Sequence, residues 1–374
     1  MLSDEKKRRL ADQTKDKPLI LKLGSRSIEF GICGDAKPLV HISSSEFSQL
    51  QSFKVDPGQI FWGHSINSKD VEHLNKSGEL SPNKSSLELD LESFKFLFYP
   101  DLLAYRDSEN LLNSLEYRLR NHLFDIFEAL FKKITFNAVN AKIFILEDLF
   151  HNEWYKKTMS DVLLSQLQAR SVVFLPNSVM CIVGAGIQNG LIVDCGWSAI
   201  SVEPVYENRL LTNYSAFTRR GGMMIHYKTV TKLQENGVKK DFDEVEKLIV
   251  ECNDSSIPAY DAVNECLFPE IDSADTDMDE QKPASLVVNT IAGLPVDIRK
   301  ELAGHIIITG GLGRIDWLRQ KLIQEISCLV KREGFKFTTG QNHSLGSWQG
   351  ASLFASTILP RQKSNGIIQE LRRD

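Results

Sequence analysis

Gly190-Leu191-Ile192-Val193-Asp194-Cys195-Gly196-Trp197-Ser198-Ala199-Ile200-Ser201-Val202-Glu203-Pro204-Val205-Tyr206-Glu207-Asn208-Arg209-Leu210-Leu211 is the stretch on which the reading of this chain turns. Leu191 to Val193 is an apolar run that meets one carboxylate at Asp194 and turns at Gly196. A second run rich in Ile, Val and Tyr then returns, the pattern of a β-hairpin with a polar turn. A carboxylate ending a buried strand, beside a glycine that lets backbone N–H groups approach a ligand, suits a phosphate-and-metal site. Taken alone, the stretch suits an ordinary hairpin with a capping Asp better.

A second copy of the pattern lies near the N-terminus, Leu19-Ile20-Leu21-Lys22-Leu23-Gly24-Ser25-Arg26-Ser27-Ile28-Glu29-Phe30-Gly31-Ile32. Two such hairpins half a chain apart point to an internal duplication. A third glycine site, Thr309-Gly310-Gly311, follows the apolar strand Ile306-Ile307-Ile308. Two hairpin loops and a strand-Gly-Gly turn resemble the nucleotide clamp of the superfamily that holds the actins, the hexokinase-type sugar kinases and the heat-shock-70 ATPases. The resemblance implies an α/β fold of two duplicated lobes around a central cleft. The residues it nominates for nucleotide contact are Gly24, Ser25, Asp194, Gly196, Gly310 and Gly311.

Three further stretches are similar to actin in particular. They are Val296-Asp297-Ile298-Arg299-Lys300-Glu301-Leu302, Trp348-Gln349-Gly350-Ala351-Ser352-Leu353-Phe354-Ala355-Ser356, and Pro204-Val205-Tyr206-Glu207. The resemblance runs from about Pro18 to about Ser356, dense in the second half and thin from His41 to Asn110. It implies a first lobe over 18–177 plus 327–374, with a divergent outer subdomain at 41–110. A second lobe would cover 178–326, with its outer subdomain near 223–290.

The cleft departs from the family pattern at several places. Actins carry an Asp in the metal shell at the end of the first strand and a phosphate-meeting Lys on the returning strand, where this chain has Lys22 and Glu29. In a hairpin centred between Ser25 and Arg26 these two face each other, so they are expected to pair with one another. A Glu about 4 Å from a phosphate would cost on the order of 4 kcal/mol at an effective dielectric of 20. Arg26 adds bulk to a turn that must hug phosphate. Asn177 stands where ATP-hydrolysing actins orient water with a Gln, and after Pro176 it also suits a helix cap. Trp197 replaces the second Asp of the family and is expected to fill the cleft or pack under the facing lobe. Met223-Met224 follows Gly221-Gly222 in place of a polar pair, and Leu312 to Asp316 replaces the sequence that contacts adenosine. Little or no ATPase is expected, with no catalytic residue and no metal ligand assigned, and with either no cofactor or ATP or ADP held as a structural ligand.

Within the family, the Val193-Asp194-Cys195-Gly196-Trp197 and Pro295 to Leu302 runs are most similar to members at the pointed end of dynactin, the cofactor of dynein. That similarity implies a structural cytoplasmic and cytoskeletal protein that caps a short actin-related filament. Its partners would be the actin-related filament subunit and the pointed-end subunits of dynactin, with dynein and microtubules reached indirectly. A nuclear actin-related subunit of a chromatin-remodelling complex is the alternative, with Lys6-Lys7-Arg8-Arg9 as its one cue, and a filament-forming ATPase is the third reading.

Composition agrees with two ordinary domains: 374 residues, 42% of them hydrophobic, can build sizeable cores. A net charge of −5 gives no broad basic surface, so no direct nucleic-acid ligand is expected. Six cysteines without CxxC spacing argue for reduced thiols and against zinc. There is no secretory signal and no apolar run long enough to insert in a membrane, so a soluble intracellular protein is expected.

Residues Asp4 to Lys17 are polar and charged and read as a solvated tail. Ser77 to Ser86 reads as a loop. Leu111, Leu115, Leu119, Leu123, Ile126, Leu130 and Ile134 recur at helical spacing and predict a helix over 110–133. Further helices are expected at 153–166, 178–186, 239–251, 285–294, 296–302 and 317–331, with strands at 142–147, 171–175 and 305–308. Asp275-x-Asp277-x-Asp279 opens like a calcium loop, but Glu280 stands where Gly is required and Leu286 where a bidentate acid is required, so 270–280 reads as a solvated acidic loop.

Overall fold

Alternation along the strands decides where each one packs. The computed structural model describes residues 17–43, 109–134, 137–139, 141–151, 153–252, 258–269, 281–358 and 370–372. In β1 (Leu19–Leu23), Leu19, Leu21 and Leu23 face one core while Ile20 faces another. In β6 (Gly190–Cys195), Leu191, Val193 and Cys195 face a third, and Ile192 shares the core that Ile20 enters. The period of two thus makes each sheet one wall of its own core and one wall of a shared middle layer.

The first sheet has the order β11-β5-β4-β1-β2-β3. Its strands are β1, β2 (Ser27–Ile32), β3 (Val40–Ser43), β4 (Lys142–Glu147), β5 (Ser171–Pro176) and β11 (Glu370–Arg372). The second has the order β10-β6-β7-β8, built from β6, β7 (Ile200–Tyr206), β8 (Arg209–Leu210) and β10 (Ile306–Thr309), with β9 (Ala216–Thr218) also paired to β7. The duplication is visible in the pairing: β1 is antiparallel to β2 and parallel to β4, as β6 is antiparallel to β7 and parallel to β10.

Helix α1 (Glu109–Ile134) lays Leu119, Leu123, Ile126, Leu130 and Ile134 on the first core. Helix α2 (Glu153–Asp161) does not run straight to Gln166 as the periodicity predicts, because Val162–Gln166 widens into a π turn. Helix α3 (Asn177–Ala185) ends at Gly186, whose φ of +69° forms a left-handed C-cap. In the second half come α4 (Gly222–Glu235), α5 (Phe242–Glu251), α6 (Pro258–Leu267), α7 (Pro283–Gly293), α8 (Val296–Ala303), α9 (Asp316–Arg332) and α10 (Ser347–Leu353). The charged stretch before α5 stays outside the helix. Asp241 stops it with a capping box, accepting from Glu244 N at 2.8 Å while Glu244 Oε2 accepts from Asp241 N at 3.1 Å.

The Trp348 to Ser356 run is explained by the middle layer. Trp348 is fully buried there, its Nε1 donating to Ile20 O at 3.4 Å. Gly350 lets α10 lie directly on α3, since a Cβ at that position would overlap the Met180 carbonyl. Ser352 ties the layer to the first sheet, accepting from Gly34 N at 2.9 Å and donating to Asp35 O at 2.8 Å. The boundary expected at residue 327 falls inside α9, whose buried residues from Leu318 to Val330 all join the second core. A helix cannot change cores halfway without exposing half its apolar stripe, so α9 belongs whole to the second sheet. The 1–17 tail except its last residue, most of the 41–110 subdomain including the 77–86 loop, and the 270–280 acidic loop lie outside the described residues.

Candidate functional site

The turns of the two hairpins meet at the mouth of a cleft of about 700 Å³. Gly24 N donates to Ser27 O at 2.8 Å to close the first turn, and Gly196 N donates to Ala199 O at 3.0 Å to close the second. The structure brings Gly24, Ser25, Asp194, Gly196, Gly310 and Gly311 together on the walls of this cleft. Gly310 has a strict reason to be glycine. Its φ is +86°, and a Cβ there would overlap Asp194 Oδ1 and the Cys195 carbonyl.

Asp194 ends β6 against Asn177, whose Nδ2 donates to its Oδ2 at 3.1 Å. Burial raises the Asp194 carboxyl above its ordinary value, the Lys22 ammonium draws it back down, and Asp148 pushes it up again. The role expected of Asn177 changes accordingly. It is the first helical residue, with no side-chain cap bond, and it orients Asp194 rather than capping α3. Nearby, Glu203 is a buried carboxyl on β7, accepting from Ser201 Oγ at 2.7 Å, and burial pushes it up to about 7.

Lys22 and Glu29 do stand opposite each other in the β1–β2 register. They do not, however, form the expected ion pair. Glu29 Oε1 lies 3.4 Å from Arg314 Nη2 and 3.6 Å from His41 Nδ1, while the charge of Lys22 acts on Asp194. Directly opposed residues on one sheet face need not touch when each finds a stronger partner across the cleft or on the next strand.

Arg26 does more than add bulk. Its guanidinium carbon lies 4.1 Å from the ring centre of Phe242 on α5 and 4.9 Å from that of Trp197 in the second turn. Its Nη2 lies 3.4 Å from Glu246 Oε2, and Glu246 Oε1 is 3.1 Å from Nδ1 of the buried His226 on α4. Burial lowers the Arg26 pKa, and the charges of Glu246 and Asp243 oppose that shift. Trp197 packs on helices of its own lobe rather than under the facing one, edge-on to His226 at 5.6 Å and tilted to Phe242 at 5.7 Å, and receives Arg26 from the first lobe. Beside it, Ser25 Oγ lies 3.2 Å from Ser198 Oγ.

Gly221 and Gly222 are what allow α4 to start against the second turn, since a Cβ on Gly221 would press on the Trp197 carbonyl and Ala199 N. Gly222 N and Met223 N donate to the Gly196 and Trp197 carbonyls at 3.1 and 2.9 Å. Two of the N–H groups that open α4 are thus satisfied by the turn. Met224 packs on the second core.

The two turns stand too close for one phosphate group to sit between Ser25 and Ser198. A phosphate bridging Ser25 and Ser198 would need two hydrogen bonds of about 2.7 Å plus its own width, well beyond the separation observed. Among the described residues no group of three or more His, Cys, Asp or Glu could hold a metal ion. Asp148 and Glu246 reach the cleft from elements far along the chain and were not nominated by sequence, nor were Ser198 and Arg314, which line it beside residues that were.

A duplicated α/β pair of lobes whose hairpin turns and Gly-Gly turn meet in one cleft is the architecture of the actin-like ATPase class. The family profile described as Actin matches residues 121–252 and 259–362, and the chain belongs to the actin family. It is a divergent actin-related protein. It is 23% identical over 256 residues to Actin-like protein ARP10 of Saccharomyces cerevisiae, covering 67% of this chain and 77% of that one. From the same yeast, Actin-related protein 2 is 23% identical over 226 residues, 51% of this chain and 56% of its own length. Actin-related protein 4 is 30% identical over 116 residues, 26% of this chain and 24% of its own.

All six cysteines are free thiols, five of them buried, and burial pushes Cys33, Cys181 and Cys266 up to about 12. No helix among the described residues is long and apolar enough to cross a membrane.

Proposed function

We propose that this chain is a structural subunit that caps the pointed end of the short actin-related filament of dynactin, seats the pointed-end subunits there, and so supports dynein-driven transport along microtubules. The observation that carries the reading is the contact between the two turns, Ser25 against Ser198 with Arg26 reaching to Glu246, at the place where the family clamps phosphate. A filament subunit that cycles uses hydrolysis to change its contacts. A cap needs a fixed shape. Lys22, Glu29, Asn177, Trp197 and Met223-Met224 remove the polar chemistry of hydrolysis from one cleft, and several independent losses are harder to compensate than one. The similarity to Actin-like protein ARP10 supports a place among the actin-related proteins, within which the capping role is our reading.

The test is reconstitution with actin-related filament subunits and dynactin pointed-end subunits. The expected result is one copy per filament, at the end, with the pointed-end subunits bound and no phosphate release above the protein-free rate. Subunits adding beyond this chain, or steady ATP turnover, would refute the reading. A tagged copy is expected in the cytoplasm with the cytoskeleton, and recovery from the nucleus with chromatin subunits would favour the alternative.

A further inference from the structure

We propose that Arg26 is a built-in latch that holds the two lobes closed over the cleft, taking the place of a bridging ligand. The guanidinium leaves the first hairpin and is received by the second lobe on three sides. Phe242 and Trp197 present ring faces at 4.1 and 4.9 Å, and Glu246 presents a carboxylate oxygen at 3.4 Å. Glu246 is itself fixed by the buried His226, which stacks on Phe242 at 4.2 Å between ring centres. The receiving groups come from the turn and α5, and His226 of α4 holds Glu246 in place behind them.

Solvent access argues that these contacts count. The Arg26 and Glu246 side chains are 21% and 28% exposed, so water screens the pair only in part. A guanidinium over aromatic faces is favoured further when it is desolvated. The Ser25–Ser198 contact sits one residue away and closes the gap the latch spans. Opening the lobes would have to break the aromatic contacts, the ion pair and the serine contact together, so closure is cooperative and requires no ligand. This inference stands apart from the capping role and holds whichever assembly the chain joins.

Hydrogen exchange on the intact chain tests it, comparing the parent with R26A, R26K and E246Q. In R26A, amides of residues 23–28, 195–200 and 242–250 are expected to exchange at least about tenfold faster, as a loss of about 1.4 kcal/mol of closure free energy would produce. R26K should fall between R26A and the parent, because an ammonium keeps the charge but loses the planar fork. Amides of β4 and β5 should be unchanged, which separates lobe opening from global unfolding. Unchanged exchange at the turns in R26A overturns the proposal. If R26A does not fold, E246Q decides: faster exchange at the same three segments supports the latch and unchanged exchange overturns it. Adding millimolar magnesium ATP to the parent should leave the turns unaffected, and slowing there would overturn ligand-free closure.

Discussion

Replacing Glu203 by Gln should leave this chain nearly unchanged near pH 4.5 and stabilise it increasingly as the pH rises to about 7 and beyond. Glu203 lies in the middle of β7, 3% exposed, with Ser201 Oγ donating to it at 2.7 Å. Burial is the main force that lifts its carboxyl from 4.5 to about 7, the Ser201 bond works against the shift, and the Asp194 charge adds to it. An unfolded chain loses this proton near pH 4.5, whereas the folded chain keeps it to about pH 7. The stability is therefore fully present below pH 4.5, declines between pH 4.5 and 7, and is lost above. The gap corresponds to about 3 kcal/mol at about 1.4 kcal/mol for each tenfold change in proton affinity. Gln keeps an acceptor for Ser201 and cannot ionise. Urea unfolding of parent and E203Q, followed by tryptophan fluorescence from pH 5 to pH 8.5, should show the variant pulling ahead through this window. An equal or lower midpoint for E203Q at pH 8.5, or a gap independent of pH, would refute the reasoning.

Three other substitutions probe the scaffold. Trp348→Ala empties a fully buried site in the layer between the sheets and should cost about 3–5 kcal/mol, read as a lowered Tm or as loss of soluble protein. Gly310→Ala should destabilise by more than about 1 kcal/mol, because φ is +86° and the added methyl meets Asp194 and Cys195; the urea midpoint reports it. Asp241→Ala removes the capping box of α5 and should cost about 1 kcal/mol, seen as faster amide exchange in the first turn of that helix.

The hairpins, the Gly-Gly turn and most helices were legible because their signals are local. Alternation in Leu191 to Cys195 and the glycine at the turn are enough to place β6 and its return. The facing of Lys22 and Glu29 also followed, since a short turn fixes register. What each residue touches did not follow. Arg26 meets Glu246 across 220 positions of sequence, and Glu29 meets Arg314 across 285, so no window of sequence contains either pair. The short strands β8, β9 and β11 lack a run long enough to show alternation, and they exist because a neighbouring strand offers free backbone groups. The second-lobe boundary was misplaced for a related reason: Ser327 is an unremarkable position within α9, and only its packing shows which sheet owns the helix.

The reversed charges of the first hairpin gain a meaning once their partners are known, and that meaning is testable. Lys22 is not paired with Glu29. It balances Asp194, with Asp148 close enough to raise the same carboxyl. Glu29 balances Arg314 from the second lobe and His41 from β3. Restoring the family's charges with K22D/E29K would therefore put a new carboxylate beside Asp194 and Asp148 and a new ammonium beside Arg314. Like charges brought together in a half-buried site raise carboxyl pKa values and oppose folding. The double variant should lose about 2 kcal/mol or more at pH 8, and it should still not bind a fluorescent ATP analogue, because Arg26 and the Ser25–Ser198 contact remain. Adding R26G to the same variant removes the latch, so any gain in nucleotide binding should appear only in the triple variant. Binding by the double variant without loss of stability would mean that charge alone opposes nucleotide in the cleft and that the latch is incidental.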